Sequence, residues 1–388
     1  MQPNEALASL KRGVTQIISE AELREKLALG RPLRVKLGVD PTTADIHLGH
    51  TVVLRKLRQY QDLGHQAVLI IGDFTGMIGD PSGRSVTRPH LTHKEVMANA
   101  ETYREQAFKI LDPARTETVC NGDWFRAMSY EDVIRLNSRV TLQQMLQRED
   151  FRARLDNKHA IHAHEIQYPI MQGWDSVMVK ADVELGGTDQ LFNILVGRDF
   201  QKEENQPQQV VMTMPLLEGL DGVKKMSKSL GNYVGVNEPA ADMFGKLMSI
   251  SDQLMFRYYE VLLCRDLPKN ADPFASKKQL ALEIVKTYHS AEVAEKTLAD
   301  WNARFSEKRL DEAELPAYSG TTGEIVGLVV DAFSQGFGIT KSRAEASRLI
   351  KQGSVQVDGQ KVVDPKTKVT LKSGQILRLD KTHAVRAK

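Results

Sequence analysis

The sequence predicts an α/β protein built on a parallel sheet. Residues 34–40 alternate in hydrophobic character and end at Pro41, which is typical of a strand that runs into a loop. Residues 51–63 carry apolar side chains at helical spacing and stop at Gly64, and residues 67–72 form a continuous apolar run, as in a strand buried on both faces. A strand, a loop, a helix and a second strand at this spacing indicate a βαβ unit.

The remaining segments predict three domains. Residues 92–165 are mostly helical in pattern and look like an insertion into the sheet domain. A further strand is predicted at residues 177–185, and helical patterns return at residues 240–305. Residues 311–324 are poor in apolar side chains and contain proline and glycine, which favours a linker. The predicted domains are an α/β domain at residues 1–231, a helical domain at 232–320 and a small α+β domain at 321–388.

Composition argues against several classes of protein. The chain is 41% hydrophobic and 26% charged, which is typical of a folded soluble protein rather than a disordered or fibrous one. Its clearest aliphatic run, residues 67–71, is far shorter than the roughly 20 residues of a membrane helix. The first residues show no secretory pattern, and Cys120 and Cys264 lie far apart, so we expect a reduced, cytoplasmic setting without membrane association.

The charge is unevenly distributed. The whole chain has a net charge of +2, but residues 341–388 carry a net charge of +8 and the rest a net charge of −6. A slightly acidic body with a basic end favours an enzyme joined to a module that binds a polyanion. The alternative is a lysine-rich end that is merely solvated.

The first motif is DPTTADIHLGH at residues 40–50. It joins the carboxyl end of a predicted parallel strand to the start of a helix, where open α/β sheets bind ligands and helix N-termini attract phosphate. His47 and His50 could face one ligand there, and Gly49 would let a flat base approach the backbone. Taken singly, a histidine at a helix start is more often a cap or a surface group.

The second motif is KKMSKS at residues 224–229, in a glycine-rich neighbourhood that suggests a mobile loop. Lys225 and Lys228 could close on a polyphosphate and stabilise the charge that develops on a leaving group. As a bare lysine cluster it would most often be a solvated loop.

Together the two motifs change the interpretation. HLGH on the first strand-to-helix turn, followed much later by KMSKS, resembles the class I aminoacyl-tRNA synthetases, in which such motifs bind ATP on a Rossmann-like sheet. Three further strings resemble the tyrosyl-tRNA synthetases of bacteria, and the resemblance covers about residues 30–388. These strings are GDFTGMIGDPSGR at 72–84, YPIMQGWD at 168–175 and GGTDQLFN at 186–193. The glycine string is neither a dinucleotide fingerprint nor a Walker A motif.

The resemblance implies a role for each matching position. For tyrosine it implies Asp80, Tyr168 and Gln172 at the α-ammonium, Asp175 at the phenol hydroxyl and Gln190 at the acyl group. For the adenylate it implies Asp40, Gly187 and Asp189, and for the ATP phosphates Thr42, His47, His50, Lys225 and Lys228, with Arg84 and Arg88 in a loop near them. The residue types suit these roles, because carboxylates meet an ammonium or hydroxyls and cations meet phosphates.

The position of Lys36 departs from the commoner tyrosyl branch, in which a tyrosine contacts the substrate hydroxyl. Lysine has three donors and no acceptor. We therefore expect Lys36 to donate to the phenol oxygen or to pair with Asp175 and keep it ionised.

Two further patterns bear on the site. Tyr168, Gln172 and Asp175 are spaced i, i+4 and i+7, which predicts a shared helix face. His159, His162, His164 and Glu165 resemble a metal cluster, but their spacing is not a recognised zinc pattern, and we expect no protein-bound metal.

The C-terminal module has a pattern of its own. A basic helix at residues 341–353 precedes a hairpin with an Asp358–Gly359 turn, and this order resembles the S4-type RNA-binding module. The candidate RNA contacts are Arg343, Arg348, Lys351 and Lys361. The alternative is a basic fold that binds no RNA.

The resemblance implies the following fold and function. The chain would have a Rossmann-like catalytic domain with a helical insertion, a helical anticodon-binding domain and an S4-type domain. It would form tyrosyl-adenylate from tyrosine and ATP with Mg²⁺, and then charge tRNA(Tyr). The family implies a homodimer with the insertion at its interface. A tryptophanyl enzyme is disfavoured by Asp175, the GGTDQ string and the basic module, and a non-catalytic RNA-binding paralogue is disfavoured by the intact histidines and lysines.

Overall fold

The computed structural model describes residues 2–41, 45–81, 92–303, 315–380 and 383–388. Thr42, Arg84 and Arg88, which the sequence assigned to the phosphates, lie outside these described residues. The chain forms two compact units, Met1–Ala291 and Glu292–Lys388. Among the described residues, no helix is both long enough and apolar enough to cross a membrane.

A six-stranded sheet forms the centre of the first unit. Its strands are β1 (Gln16–Ile18), β2 (Arg34–Val39), β3 (Gln66–Ile71), β4 (Thr116–Cys120), β5 (Val183–Gly187) and β6 (Val210–Met214). Their order is β1-β6-β5-β2-β3-β4, and every neighbouring pair is parallel except the antiparallel pair of β1 and β6. This mixed but mostly parallel sheet confirms the predicted fold class.

Helices flank this sheet. They are α1 (Pro3–Lys11), α2 (Glu20–Leu27), α3 (Leu48–Asp62), α4 (Thr75–Ile78), α5 (His93–Ala107), α6 (Gly122–Phe125), α7 (Tyr130–Asn137), α8 (Leu142–Met145), α9 (Glu149–Asp156), α10 (Ala163–Met178), α11 (Leu191–Glu203), α12 (Ala240–Met248), α13 (Asp252–Leu262) and α14 (Pro273–Tyr288), with α15 (Ala291–Trp301) at the boundary between the units. The predicted insertion at residues 92–165 is helical apart from β4, which pairs with β3 at the edge of the sheet.

The strand predicted at residues 177–185 is wrong in its first half. Val177 is the penultimate residue of α10, and the strand begins only at Val183. Apolar residues at the end of a buried helix look like a strand because the helix has no polar face there. Two glycines explain the burial of α10. A Cβ on Gly173 would lie 2.8 Å from Val196 of α11, and a Cβ on Gly197 would lie 2.7 Å from Ser176, so the two helices pack in close contact.

The second unit contains two small sheets and two helices beyond α15. Its elements are β7 (Ala317–Tyr318), β8 (Thr322–Glu324), α16 (Ile325–Phe337), α17 (Arg343–Lys351), β9 (Gln356–Val357), β10 (Gln360–Lys361), β11 (Lys368–Thr370), β12 (Ile376–Arg378) and β13 (Ala384–Ala387). The hairpin of β9 and β10 turns at Asp358 and Gly359, whose φ values of 44° and 82° are those that a type I′ turn requires. The predicted helix followed by a hairpin is therefore confirmed.

Candidate active site

A cleft of about 350 Å³ opens at the carboxyl ends of the parallel strands in the first unit. This is the edge at which the sequence placed the site. Most of the residues with predicted roles in that unit line it. They are Asp40, His47, Gly49, His50, Asp80, Tyr168, Gln172, Asp175, Gly187, Asp189, Gln190 and Lys225. Lys36 and Lys228 lie outside this lining.

Asp40 is held at the end of β2 by two hydroxyl groups. The Thr75 hydroxyl donates to its Oδ1 at 2.8 Å, and the Tyr168 hydroxyl donates to its Oδ2 at 2.9 Å. A Cβ on Gly72 would clash with Asp40 Oδ1, so a side chain at that position would displace the carboxylate. Burial and the neighbouring Asp40 charge raise the pKa of Tyr168 well above its ordinary value, so its phenol keeps its proton and donates.

Asp175 closes the inner end of the cleft. Trp124 Nε1 donates to its Oδ1 at 3.0 Å and Asn121 Nδ2 to its Oδ2 at 3.3 Å. The residue is only 4% exposed. Burial raises the pKa of Asp175 to about 7, against the opposing effects of the Lys36 charge and of the two donors. Its carboxyl group therefore titrates near neutral pH, and when ionised it can accept a hydrogen bond from a ligand hydroxyl.

An amide network fixes the other end of the cleft. Gln190 Nε2 donates to Asp80 Oδ2 at 2.7 Å, and Asn193 Nδ2 donates to Gln172 Oε1 at 2.9 Å and to Gln190 Oε1 at 3.3 Å. Arg148, itself buried, donates to Asn193 Oδ1 at 2.8 Å. Because Arg148 can only donate, this contact sets the orientation of the Asn193 amide and, through it, of both glutamines.

Sequence reasoning missed four of these polar residues: Thr75, Asn121, Asn193 and Arg148. Thr75 and Asn193 lie inside strings that resemble the family, so their position was a signal. Asn121 and Arg148 lie in the inserted segment and carried none.

The structure corrects the predicted role of Lys36. Its side chain is fully buried, and its ammonium lies 2.9 Å from Glu184 Oε1. It also donates to Ser176 Oγ at 2.7 Å and to the Gln172 carbonyl oxygen at 2.9 Å. These contacts use all three of its donors, so the expected direct pair with Asp175 is not formed and no donor is left for a ligand hydroxyl.

The two histidines of the first motif stack at the start of α3. Their ring centroids are 3.8 Å apart, and the His47 backbone N–H donates to His50 Nδ1 at 3.2 Å. Burial, together with the nearby His50 and Lys228, lowers the pKa of His47 to about 2. His47 is therefore a neutral imidazole at physiological pH. A Cβ on Gly49 would lie 3.0 Å from the His47 ring, so a larger residue at this position would press against the ring.

The lysine loop, residues 224–229, is held at its base by two polar side chains. Asp221 accepts from the backbone N–H groups of Val223 and Lys224 at 2.9 Å, and Asn232 ties Asp221 to the backbone of Ser227. This bracing fixes the stem of the loop beside the cleft.

The lysines of this loop face two carboxylates. Lys225 Nζ lies 3.8 Å from Asp189 Oδ2, and Lys228 Nζ lies 3.1 Å from Asp45 Oδ2. Burial raises the pKa of Asp189, and Lys225 acts in the opposite direction. Lys225 and its partner Asp189 both line the cleft, whereas Lys228 pairs with Asp45 outside the lining. In both pairs an arriving phosphate can replace the carboxylate.

The histidine-rich segment before α10 has a structural role. Glu165 forms a bidentate pair with the buried Arg154, at 2.6 and 2.9 Å, and accepts from the His162 backbone. Within the described ranges, no group of three or more His, Cys, Asp or Glu side chains is placed to hold a metal ion.

The basic candidates of the second unit are solvent-exposed. Arg343, Arg348 and Lys351 lie on α17, and Lys361 lies on β10. Arg343 also pairs with Glu324 at 2.9 Å.

Two family models match the chain. The model described as class I tRNA synthetases (W and Y) matches residues 28–311, and the S4 domain model matches residues 338–375. Among curated proteins, the tyrosine–tRNA ligase of Oleidesulfovibrio alaskensis is 50% identical over 100% of this chain and 99% of its own length. The tyrosine–tRNA ligase of Idiomarina loihiensis is 50% identical over 97% of this chain and 96% of its own length.

Solved structures share the fold at lower identity. A C-terminally truncated mitochondrial tyrosyl-tRNA synthetase of Coccidioides posadasii aligns with a TM-score of 0.63 at 24% identity, over 77% of this chain and 94% of its own. The tyrosyl-tRNA synthetase of Archaeoglobus fulgidus in complex with L-tyrosine aligns with a TM-score of 0.62 at 21% identity, over 76% of this chain and 99% of its own.

Proposed function

The chain belongs to the class I tRNA synthetases of the tryptophan and tyrosine family, and we propose that it is a tyrosine–tRNA ligase. It joins the carboxylate of tyrosine to the adenylyl group of ATP with release of pyrophosphate, and then passes the tyrosyl group to the 3′-terminal adenosine of tRNA(Tyr) with release of AMP. The observation that carries the proposal is Asp175, a buried hydrogen-bond acceptor at the inner end of the cleft. The other polar residues of the lining suit the binding of an amino acid and a nucleotide. A phenol hydroxyl is the substrate group that this acceptor suits.

The cleft orients tyrosine from both ends. Asp80, Tyr168 and Gln172 receive the α-ammonium, since they offer a carboxylate and polar oxygens at one side of the cleft. Asp175 accepts from the phenol hydroxyl. With both ends held, the tyrosine carboxylate is directed at the α-phosphate, and this fixed geometry supplies much of the rate.

Charge stabilisation supplies the rest. The tyrosine carboxylate attacks the α-phosphate and pyrophosphate departs, so no protein nucleophile is needed. His47 is neutral and donates a hydrogen bond to a phosphate oxygen. Lys225 and Lys228 leave Asp189 and Asp45 and bind the departing pyrophosphate, whose charge grows in the transition state. Asp189 is then free to accept from the ribose hydroxyls, and Asp40 and the backbone at Gly49 and Gly187 face the adenylate.

Magnesium enters this scheme as part of the nucleotide substrate. ATP binds as its Mg²⁺ complex, and the cation neutralises phosphate oxygens alongside the two lysines. As part of the same proposal, the reaction takes place in the cytoplasm.

Binding of the tRNA is assigned to the basic second unit. The exposed side chains of Arg343, Arg348, Lys351 and Lys361 supply cations to the RNA backbone. The match of the S4 domain model to residues 338–375 supports this assignment.

A homodimer is also part of the proposal. Large apolar side chains are exposed on the inserted helices: Tyr130 at 81%, Ile134 at 52%, Leu142 at 56% and Leu155 at 49%. A second copy of the chain covering this surface would remove them from water. Sedimentation of the purified protein tests the dimer, and the Ile134→Glu variant should sediment as a monomer.

The decisive experiment is ATP–pyrophosphate exchange with each amino acid in turn. We expect exchange with tyrosine and none above background with tryptophan. Exchange that depends on tryptophan would identify a tryptophanyl enzyme, and no exchange with either would indicate a non-catalytic RNA-binding protein. Charging of tRNA(Tyr) then tests the second step.

A further inference from the structure

Lys36 and Glu184 form a charged pair beneath the wall of the substrate cleft. They are directly opposite each other in the register of the parallel strands β2 and β5. Lys36 is 0% exposed and Glu184 is 1% exposed, and their charged atoms are 2.9 Å apart. A buried ion pair of this kind costs desolvation free energy, so a contribution to stability is not enough to explain it.

The pair is tied to the substrate-binding face of α10. Lys36 donates to the Gln172 carbonyl and to Ser176 Oγ, and Ser176 Oγ in turn donates to Glu184 Oε2 at 2.8 Å. Gln172 Nε2 donates to Glu184 Oε1 at 3.3 Å, and Gln209 also donates to this carboxylate. Every contact on the α10 side reaches the turn that also carries Asp175.

The two charges act on Asp175 in opposite directions. The charged and titratable groups that face it are Lys36 from β2, Glu184 from β5 and Tyr168, two turns earlier on α10. Asn121 and Trp124 face it as neutral donors. The Lys36 charge lowers the pKa of Asp175, and the Glu184 charge raises it with a smaller effect. The net result of the pair favours the carboxylate.

We propose that Lys36 and Glu184 are paired positioning residues for substrate selection, which fix the Gln172–Ser176 turn and hold Asp175 as the anionic acceptor of the tyrosine hydroxyl. This inference rests on the proposed function. Lys36 then acts through its contacts with Glu184 and α10 beneath the cleft, and not through a contact with the substrate hydroxyl. In this arrangement Asp175 alone accepts from the hydroxyl. Burial sets the high pKa of Asp175, and the pair shifts the pH at which the group becomes an anionic acceptor.

The test is the pH dependence of kcat/KM for tyrosine in pyrophosphate exchange, because this profile reports the ionisation of the free enzyme. Lys36→Met should move the acidic midpoint to higher pH, and Glu184→Gln should move it to lower pH. For a shift of about one pH unit from a midpoint near 7, Lys36→Met loses about fivefold in kcat/KM at pH 7. The midpoint of the double variant Lys36→Met/Glu184→Gln should lie between those of wild type and Lys36→Met.

The design separates positioning from general damage. Loss of packing alone would lower kcat/KM in both single variants without moving their midpoints in opposite directions. Lys26→Met is the matched control, since it removes a lysine paired with Asp182, at 3.6 Å, one residue before β5. It should leave the midpoint unchanged. If Lys36→Met does not fold because Glu184 is left unpaired, the double variant and Glu184→Gln still give the predicted order.

Two outcomes would overturn the inference: equal shifts in both single variants, or no shift in either. A wild-type protein without tyrosine-dependent exchange would instead refute the proposed function, and the two failures are thereby distinguished.

Discussion

Replacing Asp175 by asparagine should weaken tyrosine use and, at pH 7 and above, stabilise the fold. Asp175 accepts from Trp124 and Asn121 and is 4% exposed. Its pKa is raised from 3.8 to about 7, so the folded protein loses stability as the pH rises from the unfolded pKa through the folded one. At 1.36 kcal/mol per pH unit, the cost of keeping this carboxylate ionised in the fold reaches about 4 kcal/mol above pH 7.

The variant escapes this pH-dependent cost. The new asparagine amide also places an N–H donor against the Asn121 donor. This donor–donor contact lowers the free energy of unfolding by about 1–3 kcal/mol at every pH. Because that contact does not titrate, the informative quantity is the change with pH. Between pH 5 and pH 8, the free energy of unfolding of Asp175→Asn relative to wild type should rise by about 2–3 kcal/mol. Urea unfolding at the two pH values measures it.

The kcat/KM of Asp175→Asn for tyrosine should fall although its fold gains stability. Loss of an anionic acceptor weakens the contact with the hydroxyl by about 1.5–3 kcal/mol, or roughly 10- to 150-fold in kcat/KM for tyrosine. Use of phenylalanine, which has no hydroxyl, should change little. Asp182→Asn is a control for which the expected change in stability at neutral pH has the opposite sign. Although burial opposes it, hydrogen bonds from Arg31 and from the Arg34 backbone lower the pKa of Asp182, so this variant should lose stability at neutral pH. A stability difference for Asp175→Asn that is independent of pH, or an unchanged preference for tyrosine over phenylalanine, would refute the reasoning.

Three further predictions concern the charged groups around the phosphates and the RNA. Lys228→Ala should slow adenylate formation by roughly 10²–10³ with tyrosine affinity nearly unchanged, as measured by single-turnover kinetics; normal activation with lost tyrosine binding would contradict it. Asp45→Asn releases Lys228 and should lower KM for ATP up to about fivefold, the scale of an exposed ion pair; a higher KM would show that Asp45 assists binding. Arg348→Glu combined with Lys351→Glu should leave pyrophosphate exchange intact, weaken tRNA binding and reduce its salt slope by about 2; unchanged binding would place the RNA elsewhere.

Local patterns were enough to predict the fold class and the helix face of the site. The i, i+4, i+7 spacing of Tyr168, Gln172 and Asp175 places them on one face of α10, and all three line the cleft. The family is confirmed by the matches to known proteins. The individual roles of the site residues stay predictions, and they are the subject of the experiments above.

Long-range pairing was beyond the reach of the sequence. The partner of Lys36 depends on the register of β2 against β5, two strands between which the whole inserted segment lies in the sequence. A lysine at this position suggested a contact with Asp175, because nothing in the local pattern singled out Glu184. The strand predicted to start at residue 177 failed for a related reason, since the apolar end of a helix buried against a neighbour has the composition of a strand.

The pairing explains how a lysine can occupy this position without placing an unpaired charge in the substrate site. A lone buried ammonium would cost several kcal/mol and would attract Asp175 away from the substrate. Glu184, directly opposite on the neighbouring strand, forms an ion pair with this ammonium. Asp175 then has two neutral donors, Asn121 and Trp124, and still lines the cleft. With tyrosine bound, the hydroxyl donates to this carboxylate. With phenylalanine bound, a buried carboxylate loses contact with water and gains no donor, and that penalty falls on the wrong substrate alone. Under the proposed function, selection at this site depends on the ionisation of Asp175, which the Lys36–Glu184 pair favours from beneath the cleft without touching the substrate.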